Sequence, residues 1–187
     1  MKIKRTAFAV SLFLAAACLA SAAPKSDGAD KKAQPLPATV THLDLSRFEG
    51  PWYELARIPI PIARDWVNTR DVYIHNADGS WSVRYEGNKG SADGSRKVLK
   101  QKLRIPDPAR PGDMEVSFIP FVWMKYRLIY MSEDYRFMLV GSSSMDLLWL
   151  MSREAKPSSE EYEALKAMAA SLGYDVAKLE RVSQSGN

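Results

Sequence analysis

Two histidines, His42 and His75, and one cysteine, Cys18, are the chain's whole stock of imidazole and thiol groups. His42 lies ahead of the first patterned segment and His75 ends a strand-like run, and no metal-ligand spacing joins them. A metal centre is therefore not expected. The glycines of "GNKGSADGSRK" (87–97) miss the phosphate-loop spacing and read as a hairpin loop. Glu133 and Asp134 read as a turn rather than an acid–base pair. A lipid-modifying enzyme would have to rely on tyrosines or Asp71, so the chain reads as a non-enzyme with no cofactor.

The more informative chemistry is apolar and aromatic, and it is spread along short elements with a common frame. Ahead of them, residues 1–22 combine Lys2, Lys4 and Arg5, an apolar run from Ala7 to Ala17 and a small-residue end "ASA". This is the grammar of an export signal cleaved after Ala22, and the run is too short to span a membrane. The alternative is a lipoprotein box, "AAAC", with Cys18 acylated and anchoring the protein at an outer membrane. The segment carries three basic residues and no acid, so without it the net charge falls from +4 to +1. That leaves no basic excess for nucleic acid. Cleavage after Ala22 also leaves no thiol. Residues 23–43, rich in Pro and Lys, are expected to be a disordered leader or tether, and 44–187 one domain.

In that domain the apolar residues alternate. "GPWYELAR" (50–57), "VNTRDVYIH" (67–75), "WSVRYEG" (81–87), "LKQKLRI" (99–105), "MEVSF" (114–118), "YRLIYMS" (126–132), "FMLVG" (137–141) and "LLWLMSR" (147–153) give eight strands in series. The period then changes once. Ser158 as N-cap, Glu161 as its capping-box partner and the stripe Tyr162, Leu165, Met168, Ala169 and Leu172 predict one amphipathic helix ending at Gly173. "KLERV" is a last strand-like piece. The pattern predicts an all-β fold, an eight-stranded antiparallel up-and-down barrel with one C-terminal helix outside it, of a size that can hold one small ligand.

The chain resembles the lipocalins, and within them the bacterial and apolipoprotein D branch. "GPWYELAR" is similar to the family's G-x-W motif, with Pro51 at x. "SEDYRFMLVG" (132–141) resembles its T-D-Y segment, and "LLWLMSR" its last-strand motif ending in Arg. Together with the export signal, this reads as an exported protein that carries or stores a fatty acid, lysophospholipid or similar amphiphile, the ligand class the resemblance implies, in the upkeep of the cell envelope.

Strand direction places Trp52, at the start of the first strand, and Arg153, at the end of the eighth, together at the closed end. There the indole plugs the base under a stacked guanidinium, with Gly50 and Pro51 shaping the turn into the barrel. Alternation sets Val83, Tyr85, Leu99, Leu103, Met114, Val116, Phe118, Tyr126, Leu128, Tyr130 and Trp149 inward, as cavity wall or as solid core. For the second strand the residues support either face; the resemblance implies that Thr69, Asp71 and Tyr73 point in. The loops "PIPIARDW" (59–66) and "IPFVWMK" (119–125) fall at the open mouth and put Trp66, Phe121 and Trp123 at an apolar rim, beside the basic loop 87–97. That rim suits contact with an anionic membrane surface, folding back as a lid, or, in an interaction scaffold, binding another protein through the apolar mouth. The pattern leaves the oligomeric state open.

Overall fold

The computed structural model describes residues 35–185, so the expected signal segment and Cys18 lie outside the described residues. Eight strands close into an antiparallel barrel: β1 (Gly50–Arg57), β2 (Trp66–His75), β3 (Trp81–Lys89), β4 (Arg96–Arg104), β5 (Asp113–Ile119), β6 (Val122–Met131), β7 (Phe137–Gly141) and β8 (Leu148–Ser152). Each pairs with the next, and β1 pairs with both β2 and β8, which closes the ring. A ninth strand, β9 (Glu180–Arg181), adds to the mouth end of β1.

Among the described residues two α-helices flank the barrel. The short α1 (Leu45–Phe48) has Asp44 as N-cap, whose Oδ1 accepts hydrogen bonds from the backbone N–H groups of Ser46 (2.9 Å) and Arg47 (3.3 Å). The longer α2 (Ser159–Ser171) starts on the expected capping box, with Ser158 Oγ accepting from Glu161 N–H and Glu161 Oε2 accepting from Ser158 N–H. Its buried face of Tyr162, Leu165 and Ala169 packs on Leu55, Ala56, Ile129, Leu139, Leu148 and Leu150 from the outside of the barrel. A Cβ at Gly141 would collide with the Tyr174 hydroxyl, so a larger residue there requires that side chain to shift.

The inner faces of the same strands form a separate cluster. Phe48, Trp52, Tyr73, Val83, Leu103, Met114, Val116, Tyr126, Leu128, Met138, Val140 and Met151 pack together inside the barrel. At the closed end Trp52 is fully buried, donates from Nε1 to the Phe48 carbonyl at 2.9 Å and carries the Arg153 guanidinium 3.9 Å over its ring.

Three expectations from simple alternation or loop length change. Phe118 is exposed, because the β5–β6 register shifts between Val116 and Ile119. Ser117 is buried and its hydroxyl donates to the Ile119 carbonyl at 2.8 Å, where the extra residue of the bulge takes Phe118 out of the inward frame. Tyr130 packs with the outer cluster, since a second shift between Leu128 and Tyr130 inserts Ile129 into the count. The expected loop 119–125 is a tight turn at Pro120–Phe121, because Ile119 pairs directly with Val122. The last residues of the expected leader, from Pro35, lie along the barrel. Val40 N–H donates to the Leu128 carbonyl at 2.9 Å, and Pro37 accepts from Arg127 at 2.8 Å.

Candidate functional site

Burial of the inward side chains is graded along the barrel axis. Tyr73, Val83, Leu103, Met114 and Leu128 are buried, so the closed half is a packed core. Leu99, Met124 and Trp149, each nearer the mouth on its strand, keep part of their surface open, as does Gln101 level with Val83. Val116, Tyr85 and Tyr126 bridge the two zones, with Tyr126 and Trp149 ring centroids 6.3 Å apart.

One wall of this interior is polar. Thr69, Asp71 and Tyr73 are all buried, so β2 turns its carboxylate inward and its Val72–Ile74 face out. Glu54 stands two residues beyond Trp52 on the same inner face and is fully buried. The β1 register then slips between Glu54 and Ala56, which brings Arg57 back inside, also buried. Arg57 Nη1 donates to Glu54 Oε2 at 2.7 Å. The Thr69 hydroxyl and Tyr85 hydroxyl (3.1 Å) donate to the same oxygen. Arg57 Nη2 reaches up to the carbonyls of Ala63 (2.5 Å) and Trp66 (3.2 Å), so the ion pair also pins the β1–β2 loop at the mouth. Trp66 completes this side by stacking on Tyr85, with centroids 5.3 Å apart.

Asp71 forms the second polar cluster. Its Oδ2 accepts from the hydroxyls of Tyr126 (3.0 Å) and Tyr73 (3.2 Å), and the two phenols touch each other. Three contacts share only two phenol protons, so the ring is complete only when Asp71 carries a proton of its own. Burial, with the charge of Glu54 as a second cause, pushes the Asp71 carboxyl up to about 7, against the two phenol hydrogen bonds. Burial likewise raises Glu54, against the opposing pull of Arg57, Thr69 and Tyr85. Among buried side-chain atoms, Glu54 Oε1 and Asp71 Oδ1 have no hydrogen-bond partner.

The rim residues separate. Phe121 sits at the β5–β6 turn, 98% exposed, with a backbone φ of 68° that aromatic residues rarely adopt. Ile119, Val122 and Met124 are exposed beside it. Trp123, expected at the mouth, instead lies under the Arg104 guanidinium at 3.9 Å. It borders an open cavity of about 1100 Å³ shared with Leu43, Trp81, Leu103 and Ile105. Strand alternation explains this, since Trp123 follows Val122 and points away from the side that Met124 and Tyr126 share. Among the described residues no group of three or more His, Cys, Asp or Glu is placed to hold a metal ion.

Glu54 and Arg57 were not anticipated from the residues, although strict alternation from the inward Trp52 already points Glu54 into the barrel. Arg57 needed the bulge.

A closed antiparallel barrel with a packed base, inward side chains part-exposed towards the mouth and an outer helix is the architecture of the small-ligand-binding β-barrel proteins. The Lipocalin-like domain family matches residues 43–184, and the chain belongs to that family. Members are generally proteins that bind and transport small hydrophobic ligands rather than enzymes. The chain is 32% identical to temperature-induced lipocalin-1 of Arabidopsis thaliana over 78% of this chain and 82% of the relative. It is 27% identical to the outer membrane lipoprotein Blc of Escherichia coli K12 over 97% and 96%. The solved structure of Per a 4, a cockroach allergen, shares the fold with a TM-score of 0.62 at 18% identity, over 82% of this chain and 96% of that one.

Proposed function

We propose that the protein is exported and carries or stores a single-chain amphiphile such as a fatty acid or lysophospholipid, in support of the cell envelope. The observation that carries the reading is the gradient of burial: a solid base below, and above it inward Leu99, Met124 and Trp149 as an apolar wall with surface still to bury. Each methylene that enters contributes about 0.8 kcal/mol, so binding should strengthen with chain length until the upper interior is full. The exposed turn at Phe121, flanked by Ile119 and Val122, supports contact with a membrane during uptake and release.

A chain-length series of saturated amphiphiles, followed by tryptophan fluorescence, tests this. Affinity rises and then levels or falls in the parent, and Leu99→Trp shortens the chain that binds best. Affinity independent of length would remove the carrier reading and leave the exposed turn as a site for another protein. For localisation, the relatives named as outer membrane lipoproteins support export. Intact mass of the mature protein separates cleavage after Ala22, giving a soluble periplasmic form, from acylation at Cys18.

A further inference from the structure

The carrier reading leaves the polar wall of the barrel unused, and that wall has a definite sign. Glu54 and Asp71 stand on adjacent strands, where Asp71 is paired across from Trp52 on β1 and from Tyr85 on β3, and Tyr85 donates to Glu54. Arg57 and two hydroxyls spend their protons on one Glu54 oxygen, and two phenols spend theirs on one Asp71 oxygen. Each carboxyl is more than nine-tenths buried and keeps its other oxygen without a donor. A buried acceptor left unpaired is costly, so this pair is a feature that a suitable ligand would relieve. Two carboxyls with one arginine make a poor metal site, and among the described residues no third acidic, His or Cys ligand joins them.

Resting on the carrier reading, the geometry points to a ligand whose head donates hydrogen bonds, an ammonium or similar N–H-rich group, received at Glu54 Oε1 and Asp71 Oδ1 and preferred over a carboxylate head of the same chain length. The apolar body then lies along Leu99, Met124 and Trp149 towards the mouth. A carboxylate placed at the same position meets two acceptors and no free donor, because Arg57 is already held by Glu54 and by the carbonyls of Ala63 and Trp66. The selection depends on Asp71 being ionised. The groups that face it are Glu54 and Arg57 from β1, Tyr73 and Thr69 from β2, Tyr85 from β3 and Tyr126 from β6; burial raises both carboxyls, Asp71 to about 7 with the charge of Glu54 as a second cause.

The test compares decylammonium, decanol and decanoate by tryptophan fluorescence at pH 8, with parent protein, Asp71→Asn, and Asp65→Asn as a control at an exposed acid of the mouth loop. The parent should bind decylammonium at least about tenfold more tightly than decanoate. The ratio should collapse in Asp71→Asn while decanol binding persists, should survive in Asp65→Asn, and should shrink as the pH is lowered through 7. Decanoate binding as tightly as decylammonium, or a ratio unchanged in Asp71→Asn, overturns the inference while leaving the carrier reading intact. If none of the three binds, both fall.

Discussion

The Arg153 guanidinium lies 3.9 Å over the Trp52 ring, and the same side chain donates to the carbonyls of Pro51 (2.8 Å), Glu49 (3.0 Å) and Arg47. The last strand of the barrel thus ties down the first strand and the helix before it. Trp52→Ala should cost about 3–5 kcal/mol as a core truncation. Arg153→Ala should cost less, and Arg153→Lys should recover little, because one ammonium cannot serve three carbonyls and a ring face together. Thermal melts check this; an unchanged midpoint for Trp52→Ala would rule out the plug at the closed end.

Asp71 makes stability depend on pH in an unusual direction. Its proton leaves near 3.8 in the unfolded chain and near 7 in the folded protein. The folded state therefore holds the extra proton between these values, so the contribution of Asp71 to stability is fully present below about pH 4, falls as pH rises towards 7 and is flat above. The shift corresponds to roughly 4 kcal/mol. Asp71→Asn removes this loss, so its gain over the parent should grow between pH 4 and pH 8 in chemical denaturation. Glu54 is raised in the same sense, and because its charge helps to raise Asp71 the difference reports the two carboxyls together.

The C-terminal tail closes a gap in the wall. β1 and β2 pair only from Gly50 to Tyr53, and beyond that point Gln184 Nε2 donates to the carbonyls of Glu54 (2.8 Å) and Thr69 (2.9 Å), one on each strand. Gln184→Ala leaves both carbonyls without this donor and should cost about 1–2 kcal/mol. Amide exchange should quicken around Glu54 and Thr69 and not at the β3–β4 ladder; uniform protection would show that the tail adds nothing to the wall.

Phe121 combines near-complete exposure with a backbone conformation that favours glycine. Phe121→Gly should raise stability by about 1 kcal/mol while weakening association with anionic vesicles. Vesicle co-sedimentation beside a melting curve reads both. Unchanged sedimentation would remove the membrane role of the rim.

Much of the fold is legible in the order of the residues alone. Eight alternating segments, one change of period at Ser158 and a chain that can close only by joining its first and last strands are enough to seat Trp52 beside Arg153. These follow from local periodicity and strand direction, which the order of residues carries by itself. What only the tertiary structure decided lies where that periodicity breaks or where partners are distant. The slips after Val116 and Leu128 expose Phe118 and turn Tyr130 outward, and the slip after Glu54 turns Arg57 in. A bulge adds one residue and reverses every later side chain in its strand, and no residue type here announced it. The Glu54 cluster likewise draws its donors from β1, β2 and β3, with Tyr85 31 residues away, and the two phenols on Asp71 come from strands β2 and β6. The Glu54 cluster needs the pairing of three consecutive strands, and the Tyr126–Asp71 contact exists only after the ring has closed, because closure brings the inner face of β6 within reach of β2.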